Sequence, residues 1–227
     1  MNKISVAIDG PAGAGKSSVA KTVAAALGYV YIDTGAMYRS VAVYAIENGI
    51  DIDKDREELT ARLDDIDISL KNDGGRQLVF LNGKDVTDRI RTEDASMGAS
   101  AVAAIPEVRK KLVSEQKKMA ESGGIIMDGR DIGTSVLPGA ELKIYLTASV
   151  SERAKRRYKE NLERGIECDY SDIENDVRKR DENDMTRAVS PLRKADGAVT
   201  VDTSSMTFEE SVRTVTDMIR EKEADVI

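Results

Sequence analysis

The distribution of apolar residues along the chain predicts buried strands that alternate with helices. Short apolar runs typical of buried parallel strands occur at 4–8, 29–33, 124–129, 142–148 and 198–204. Between the first two runs, "KSSVAKTVAAAL" (16–27) has the apolar spacing of a helix, and Gly28 follows where a left-handed residue commonly ends one. A strand, a helix and a second strand form a βαβ unit, so the pattern predicts an α/β fold with a five-stranded parallel sheet.

A different pattern interrupts this alternation after the second predicted strand. Apolar runs at 65–70, 76–81 and 84–86 are joined by "NDGG" and "NG", which are turn sequences typical of hairpins. We therefore expect a small antiparallel sheet inserted at about 64–90. A long helix follows it, with Pro106 in its first turn and Gly123 at its end.

The segment 149–187 is unusually polar. Ser149-x-x-Glu152 and Ser171-x-x-Glu174 are capping-box sequences, so we expect two helices to begin there. The segment carries ten Arg or Lys residues and few large apolar ones, and it therefore cannot bury much surface. We expect it to form a mobile helical arm. A last helix is expected to begin near Thr207, which opens another capping box.

Composition excludes several classes of function. The 41 acidic residues outnumber the 34 basic ones, which argues against nonspecific nucleic-acid binding. No apolar run approaches the length of a membrane span, and no signal-peptide pattern opens the sequence. The single cysteine excludes an internal disulfide framework, and we expect a cytoplasmic protein. The absence of histidine excludes a Ser-His-Asp triad and argues against a zinc site.

The sequence "GPAGAGKSS" lies between the first predicted strand and the first predicted helix. It matches GxxxxGK[ST], in which glycines allow a tight turn whose N–H groups surround an anion at a helix N-terminus. In such a loop Lys16 reaches the outer phosphates and the Ser17 hydroxyl binds Mg²⁺. The alternative is a glycine-rich turn that only caps a helix. The predicted triphosphate-binding residues are Gly10, Pro11, Ala12, Gly13, Ala14, Gly15, Lys16, Ser17 and Ser18.

Polar residues follow two other predicted strands. Asp33 and Thr34 come after the second strand, and Arg130 and Asp131 come after the third. Ligands of open α/β sheets bind at the carboxyl ends of parallel strands, so these positions are candidates for a second binding site. Arg39 lies on a predicted helix after the second strand. The alternative for each arginine is an ordinary solvated surface charge.

The end of the polar arm contains another charged group. Arg180, Asp184 and Arg187 are spaced four and three residues apart, so on a helix they would share one face. One interpretation is local ion pairing along the helix. The other is an arm that brings arginines to transferring phosphates, since phosphoryl transfer depends on positioning and charge neutralisation rather than on histidine.

Taken together, these motifs resemble bacterial-type cytidylate kinases, within the nucleoside monophosphate kinases. The resemblance spans almost the whole chain. It rests on "IDGPAGAGKSSVAK", "DTGAMYR", "IRTEDASMGASAVAAIPEVR", "DGRDIGTSVLPGAELKIYLTAS" and "RDENDMTRAVSPL", which occur in the order of that family. The combination of "DGRDIG" with a later R-x-x-x-D-x-x-R distinguishes this family from adenylate and guanylate kinases.

The resemblance implies a P-loop NTPase-type three-layer fold. The core would comprise 1–33, 124–148 and 188–227, the monophosphate-binding region 34–123 with its antiparallel insert, and the lid 149–187. It also implies Mg²⁺-dependent phosphoryl transfer from ATP to CMP or dCMP by a monomer, with no nucleic-acid or membrane partner.

The resemblance also assigns roles to individual residues. Lys16, Arg130 and Arg187 would be catalytic, and Arg153 and Arg157 would approach ATP. The acceptor phosphate would be bound by Arg39, Arg130 and Arg187, the cytosine by Ser100, Arg109 and Asp131, and the sugar by Thr34, Arg180 and Asp184. The base assignment is chemically consistent, because the exocyclic amine of cytosine is a donor that the Asp131 carboxylate can accept.

Other functions compatible with the loop remain open at this point. The chain could phosphorylate UMP or a non-nucleotide alcohol. A GTP-operated switch would require a guanine-binding "NKxD" sequence, and "ENDM" is a poor substitute. A regulatory nucleotide-binding module without turnover would be expected to lack the lysine of the loop or the arginines of the arm.

Overall fold

The structure is a computed structural model that describes residues 3–73 and 76–225. The predicted "NDGG" turn includes Gly74 and Gly75 and so lies outside the described residues. In chain order the elements are β1 (Ser5–Asp9), α1 (Lys16–Leu27), β2 (Val30–Asp33), α2 (Thr34–Glu47), α3 (Arg56–Ala61), β3 (Ile68–Asp73), β4 (Arg76–Leu81), β5 (Lys84–Asp85), α4 (Glu93–Val102), α5 (Pro106–Ala120), β6 (Ile125–Gly129), β7 (Leu142–Thr147), α6 (Val150–Glu163), α7 (Tyr170–Thr186), β8 (Val199–Asp202) and α8 (Phe208–Asp225).

The five parallel strands form one sheet in the order β2-β6-β1-β7-β8, which confirms the predicted core. Strand β1 pairs with β6 and β7, so that Asp9 lies opposite both Gly129 and Tyr145. Strand β6 is buried along its whole length, whereas β8 is largely exposed at the sheet edge. This difference follows from position, because a central parallel strand is covered on both faces.

The chain divides into two compact units. One contains the chain up to Tyr29 and from Gly123 onward, and the other contains Val30–Ser122. In the first unit α1 packs against α8 and β6, and α6 packs against α7. Among the described residues, no helix has both the length and the apolar character needed to cross a membrane.

The second unit is built around α2 and the predicted antiparallel insert. Strands β3, β4 and β5 form the insert, with Ile68 opposite Leu81, and this prediction is therefore confirmed. Helix α2 packs closely on α4, where a Cβ at Gly98 would lie 2.9 Å from the Cβ of Ala42. A hydrophobic core within this unit includes Met37, Leu59, Ile90 and Leu112.

Most predicted helix ends are confirmed, and two are wrong. Helix α5 ends at Ala120, before the predicted Gly123. Gly28 ends α1 with a φ of 70°, and Ser149 caps α6 by accepting the N–H of Glu152. Helix α7 was expected to begin at Ser171, but it begins at Tyr170 with Asp169 as its cap. The Asp169 carboxylate accepts the N–H groups of residues 171 and 172, and a charged acceptor is well suited to the positive end of the helix dipole.

Candidate active site

The predicted phosphate loop connects β1 to α1 and depends on its glycines. Gly10 has a φ of 152°, and a Cβ there would lie 2.0 Å from the carbonyl oxygen of Leu146. Gly15, with a φ of 89°, immediately precedes the first residue of α1. Both positions therefore require glycine. The resulting turn leads its backbone into a helix N-terminus, which is a general arrangement for binding phosphate.

Lys16 is buried within this loop. Its Nζ donates a hydrogen bond to the carbonyl oxygen of Pro11 at 2.8 Å. Burial, followed by the positive charge of Arg130, lowers the pKa of Lys16 to about 7, and the charges of Asp128 and Asp9 limit the change. A bound phosphate would supply additional negative charge and favour the protonated lysine.

Ser17 lies beside a carboxylate that the sequence analysis did not select. The Ser17 Oγ donates to the Oδ2 of Asp128 at 2.8 Å, and Asp128 is buried at the end of β6. Two neighbouring ligands of an octahedral Mg²⁺ ion, each about 2.0–2.1 Å from it, lie about 2.9 Å apart. The two side chains therefore fit one magnesium ion. The sequence does contain one indication of this residue, because Asp128 is an acidic residue at the end of the apolar run "GIIMD".

The residues described contain no cluster of three or more His, Cys, Asp or Glu side chains able to hold a metal. Mg²⁺ commonly takes one or two protein ligands and completes its shell with phosphates and water, so it does not require such a cluster.

Asp9 is a second buried carboxylate that the sequence analysis missed. Its two oxygens accept the N–H groups of Ile132 and Gly133, each at 2.7 Å. Burial raises the pKa of Asp9 to about 6, and the nearby charge of Asp131 contributes in the same direction. Asp9 therefore ties the end of β1 to the turn that follows β6 and carries Arg130.

The residues after β6 form two crossed ion pairs with the end of α7. Arg130 Nε donates to Asp184 Oδ2 at 2.7 Å, and Arg187 Nη2 lies 3.4 Å from Asp131 Oδ1. Helix α7 ends at Thr186, so Arg187 lies beyond the helix. Arg187 therefore does not share a helix face with Arg180 and Asp184, contrary to the prediction. Asp184 thus pairs across the fold with Arg130.

Two arginines of α6 contact the phosphate loop directly. The buried Arg153 donates from Nη1 to the Ala12 carbonyl oxygen at 3.0 Å and binds Asp181 of α7 through both terminal nitrogens. Arg156 Nη1 lies 3.5 Å from the Ala14 carbonyl oxygen. These contacts connect the loop to the polar arm. In the same unit, Ser18 is exposed on α1, and Arg157 on α6 and Arg180 on α7 are half-buried.

The second unit carries the remaining predicted residues, which are Thr34 and Arg39 on α2, Ser100 on α4 and Arg109 on α5. Arg39 Nη2 donates to Asp33 Oδ2 at 2.8 Å. Arg109 is 3 % exposed, and its guanidinium lies over the ring of Tyr38 at 5.7 Å from the centroid. Both guanidinium groups are therefore held by neighbours within this unit.

Comparison with known proteins assigns the family. The family model described as cytidylate kinase matches residues 6–221. The curated cytidylate kinase of Caldicellulosiruptor bescii is 51% identical over 218 residues, which cover 96% of each chain. That of Streptococcus gordonii is 52% identical over 213 residues, which cover 93% of this chain and 94% of the relative.

A solved structure of a gluconokinase from Sinorhizobium meliloti has a TM-score of 0.50 and 16% identity. The match covers 99% of this chain and 95% of the gluconokinase, and it supports the P-loop kinase fold alone. The sequence relatives match across nearly their whole length and confirm the resemblance that the motifs suggested. The chain belongs to the cytidylate kinase family.

Proposed function

We propose that this protein transfers the γ-phosphoryl group of ATP to CMP or dCMP and forms ADP with CDP or dCDP. Membership of the family supports this reaction. The observation that carries it is the position of the phosphate loop and of Arg130 and Asp131. They follow the adjacent parallel strands β1 and β6, whose ends are in register at Asp9 and Gly129. Groups suited to a donor and to an acceptor thus follow the carboxyl ends of neighbouring strands.

On the donor side, the loop from Gly10 to Ser18 binds the phosphates of ATP, and Lys16 neutralises the outer ones. Arg157 approaches ATP from the arm. Ser17 and Asp128 hold Mg²⁺, which when bound neutralises the charge of the phosphate oxygens.

On the acceptor side, the phosphate and the cytosine are recognised by different chemistry. Guanidinium groups bind phosphate, and the Asp131 carboxylate accepts from the cytosine amine. Uracil places an oxygen where cytosine has that amine, so UMP would face the carboxylate unpaired. The proposed residues are Arg39, Arg130 and Arg187 for the phosphate, Ser100, Arg109 and Asp131 for the base, and Thr34, Arg180 and Asp184 for the sugar.

In the reaction, an oxygen of the acceptor phosphate forms a bond to the γ-phosphorus while the bond to the bridging oxygen of ADP breaks. The attacking oxygen is already ionised at neutral pH, so no general base is needed. Lys16, Arg130 and Arg187 stabilise the charge on the transferring group. The lid at 149–187 excludes water and so limits hydrolysis of ATP.

The proposal also covers the oligomeric state, the cellular compartment and the domain organisation of the protein. The protein works as a monomer, in the cytoplasm, and with a three-part organisation of core, monophosphate-binding region and lid. The single cysteine and the absence of histidine agree with a magnesium-dependent kinase in a reducing compartment.

A coupled assay of ADP release with ATP and Mg²⁺ tests the function. The acceptors are CMP, dCMP, UMP, AMP and gluconate. We expect efficient use of CMP and dCMP and poor use of the other three. Equal use of UMP would contradict the assignment of the base-binding residues. Turnover with none of the acceptors, despite ATP binding, would instead favour a regulatory nucleotide-binding module.

A further inference from the structure

Gln77 connects the antiparallel insert to the strand that precedes α2. The residue is 8 % exposed, and both the oxygen and the nitrogen of its side-chain amide form hydrogen bonds. Nε2 donates to the carbonyl oxygen of Tyr31 at 2.6 Å, and Oε1 accepts the N–H of Asp33 at 3.3 Å. A glutamine is suited to this contact because its amide offers a donor and an acceptor side by side.

Both hydrogen bonds of Gln77 are made to backbone groups of β2. Tyr31 and Asp33 are two residues apart in β2, so their backbone groups point to the same side of the strand. Strand β2 is at the end of the five-stranded sheet. Gln77 therefore satisfies the edge of β2 as a neighbouring strand would, immediately before α2 begins.

The carboxylate of Asp33 connects the end of β2 to Arg39. Its Oδ1 accepts the N–H of Ala36 at 2.9 Å and caps α2, while its Oδ2 accepts from Arg39 Nη2 at 2.8 Å. The guanidinium lies across Gly35, where a Cβ would approach Nη1 to 3.0 Å. The Nε of Arg39 is buried and has no hydrogen-bond partner within residues 3–73 and 76–225. Arg39 is thus fixed on one side and retains donor capacity.

We propose that Gln77 is a positioning residue for the acceptor phosphate, acting through the backbone and carboxylate of Asp33 on Arg39. The inference rests on the proposed role of Arg39 in binding CMP. It gives the antiparallel insert a function in the reaction, because Gln77 sets the direction of the strand end from which Asp33 orients the arginine.

The test compares Gln77→Met with Thr87→Val. Methionine keeps an unbranched side chain and removes both hydrogen bonds of Gln77. Thr87 is also buried and accepts the N–H of Val79 in the same strand at 2.9 Å, so its replacement weakens the same sheet without touching β2. We expect Gln77→Met to raise the KM for CMP about three- to tenfold, the equivalent of one net hydrogen bond, with the KM for ATP unchanged. Thr87→Val should leave both KM values unchanged.

A double-mutant cycle with Arg39→Ala tests whether the effect passes through Arg39. If it does, adding Gln77→Met to Arg39→Ala will not raise the KM for CMP further. An equal rise in both backgrounds, or a rise with Thr87→Val as large as with Gln77→Met, would overturn the inference.

Failure of the inference is distinguishable from failure of the proposed function. If Arg39→Ala leaves the KM for CMP unchanged, the proposed role of Arg39 is wrong, and so is the positioning role of Gln77. Turnover of CMP by the wild-type protein would still support the proposed function. If the wild-type protein does not phosphorylate CMP, the proposed function itself is wrong.

Discussion

Arg130 and Asp184 form an ion pair in which Nε lies 2.7 Å from Oδ2, and this pair joins the end of β6 to α7. The Asp184 side chain is 10% exposed and that of Arg130 is 21% exposed, so water screens the pair only in part. A guanidinium has five N–H donors, and Arg130 can therefore keep Asp184 through Nε while its terminal nitrogens bind phosphate. The pair should therefore affect both the stability of the fold and the binding of the acceptor phosphate.

Replacing Asp184 with alanine should reduce the free energy of unfolding by about 1–3 kcal/mol, because a partly buried guanidinium loses a charged hydrogen bond. The KM for CMP should rise as well, since Arg130 loses its orientation and the proposed sugar contact of Asp184 is removed. Urea denaturation and steady-state kinetics measure the two effects.

A matched control is available on the same helix. Arg178 and Glu174 form an exposed pair at 3.0 Å, and Arg178→Ala should cost only about 0.3–0.5 kcal/mol. Equal losses of stability in the two variants would show that the Arg130–Asp184 pair contributes no more than a surface ion pair.

Binding of ATP should take up a proton through Lys16. Burial holds the pKa of Lys16 at about 7, so this side chain is mostly neutral in the free protein at pH 8. The phosphates of ATP favour the charged form, and binding at pH 8 should therefore draw about one proton from the buffer. Below the pKa the lysine is already charged and the uptake should diminish. Titration calorimetry in two buffers of different ionisation enthalpy measures the protons exchanged.

The control for proton uptake is Lys16→Arg. Arginine stays protonated throughout this range, so its ATP complex should form without measurable uptake. The same uptake in wild type and variant would assign the proton to another group, such as Asp9.

Asp131→Ala should reduce the preference for CMP over UMP. The ratio of kcat/KM for the two acceptors should fall about 10- to 100-fold, which corresponds to one charged hydrogen bond. Loss of the contact with Arg187 should affect both acceptors alike, so the ratio isolates recognition of the base. An unchanged ratio would place the cytosine amine elsewhere.

Asp128→Asn should raise the Mg²⁺ concentration required for half-maximal activity at least about tenfold, because a neutral amide is a weaker magnesium ligand than a carboxylate. Activity measured across a magnesium titration at fixed ATP tests this. Asp217→Asn, an exposed change on α8, is the control and should leave the requirement unaltered. A normal magnesium requirement in Asp128→Asn would remove Asp128 from the metal site.

Much of the fold was predictable because its signals are local. The apolar runs, the phosphate loop and the hairpin insert each occupy a short stretch whose pattern limits its backbone. Even so, Asp169 and Ser171 are both good capping residues, and the choice between them depended on where the backbone of α7 begins. Local sequence could not distinguish the two.

The buried polar contacts were not predictable in the same way. Asp128 bonds to a residue 111 positions away, and Asp9 reaches Ile132 across 123 positions. A single acidic residue at the end of an apolar run has no partner visible in the sequence. No sequence pattern distinguished Gln77 from the other residues of its hairpin strand.

The succession of strands and helices along the chain, the glycines of the loop and the polar residues after the second and third strands were predictable from the sequence, since backbone conformation depends mainly on neighbouring residues. Three other contacts could be identified only in the folded molecule. They are the ion pair of Arg130 with Asp184, the hydrogen bond of Ser17 to Asp128 and the hydrogen bonds of Gln77 to β2. Hydrogen bonds and ion pairs act over a few ångströms in space, and separation along the chain does not reveal which groups the fold will bring within that range.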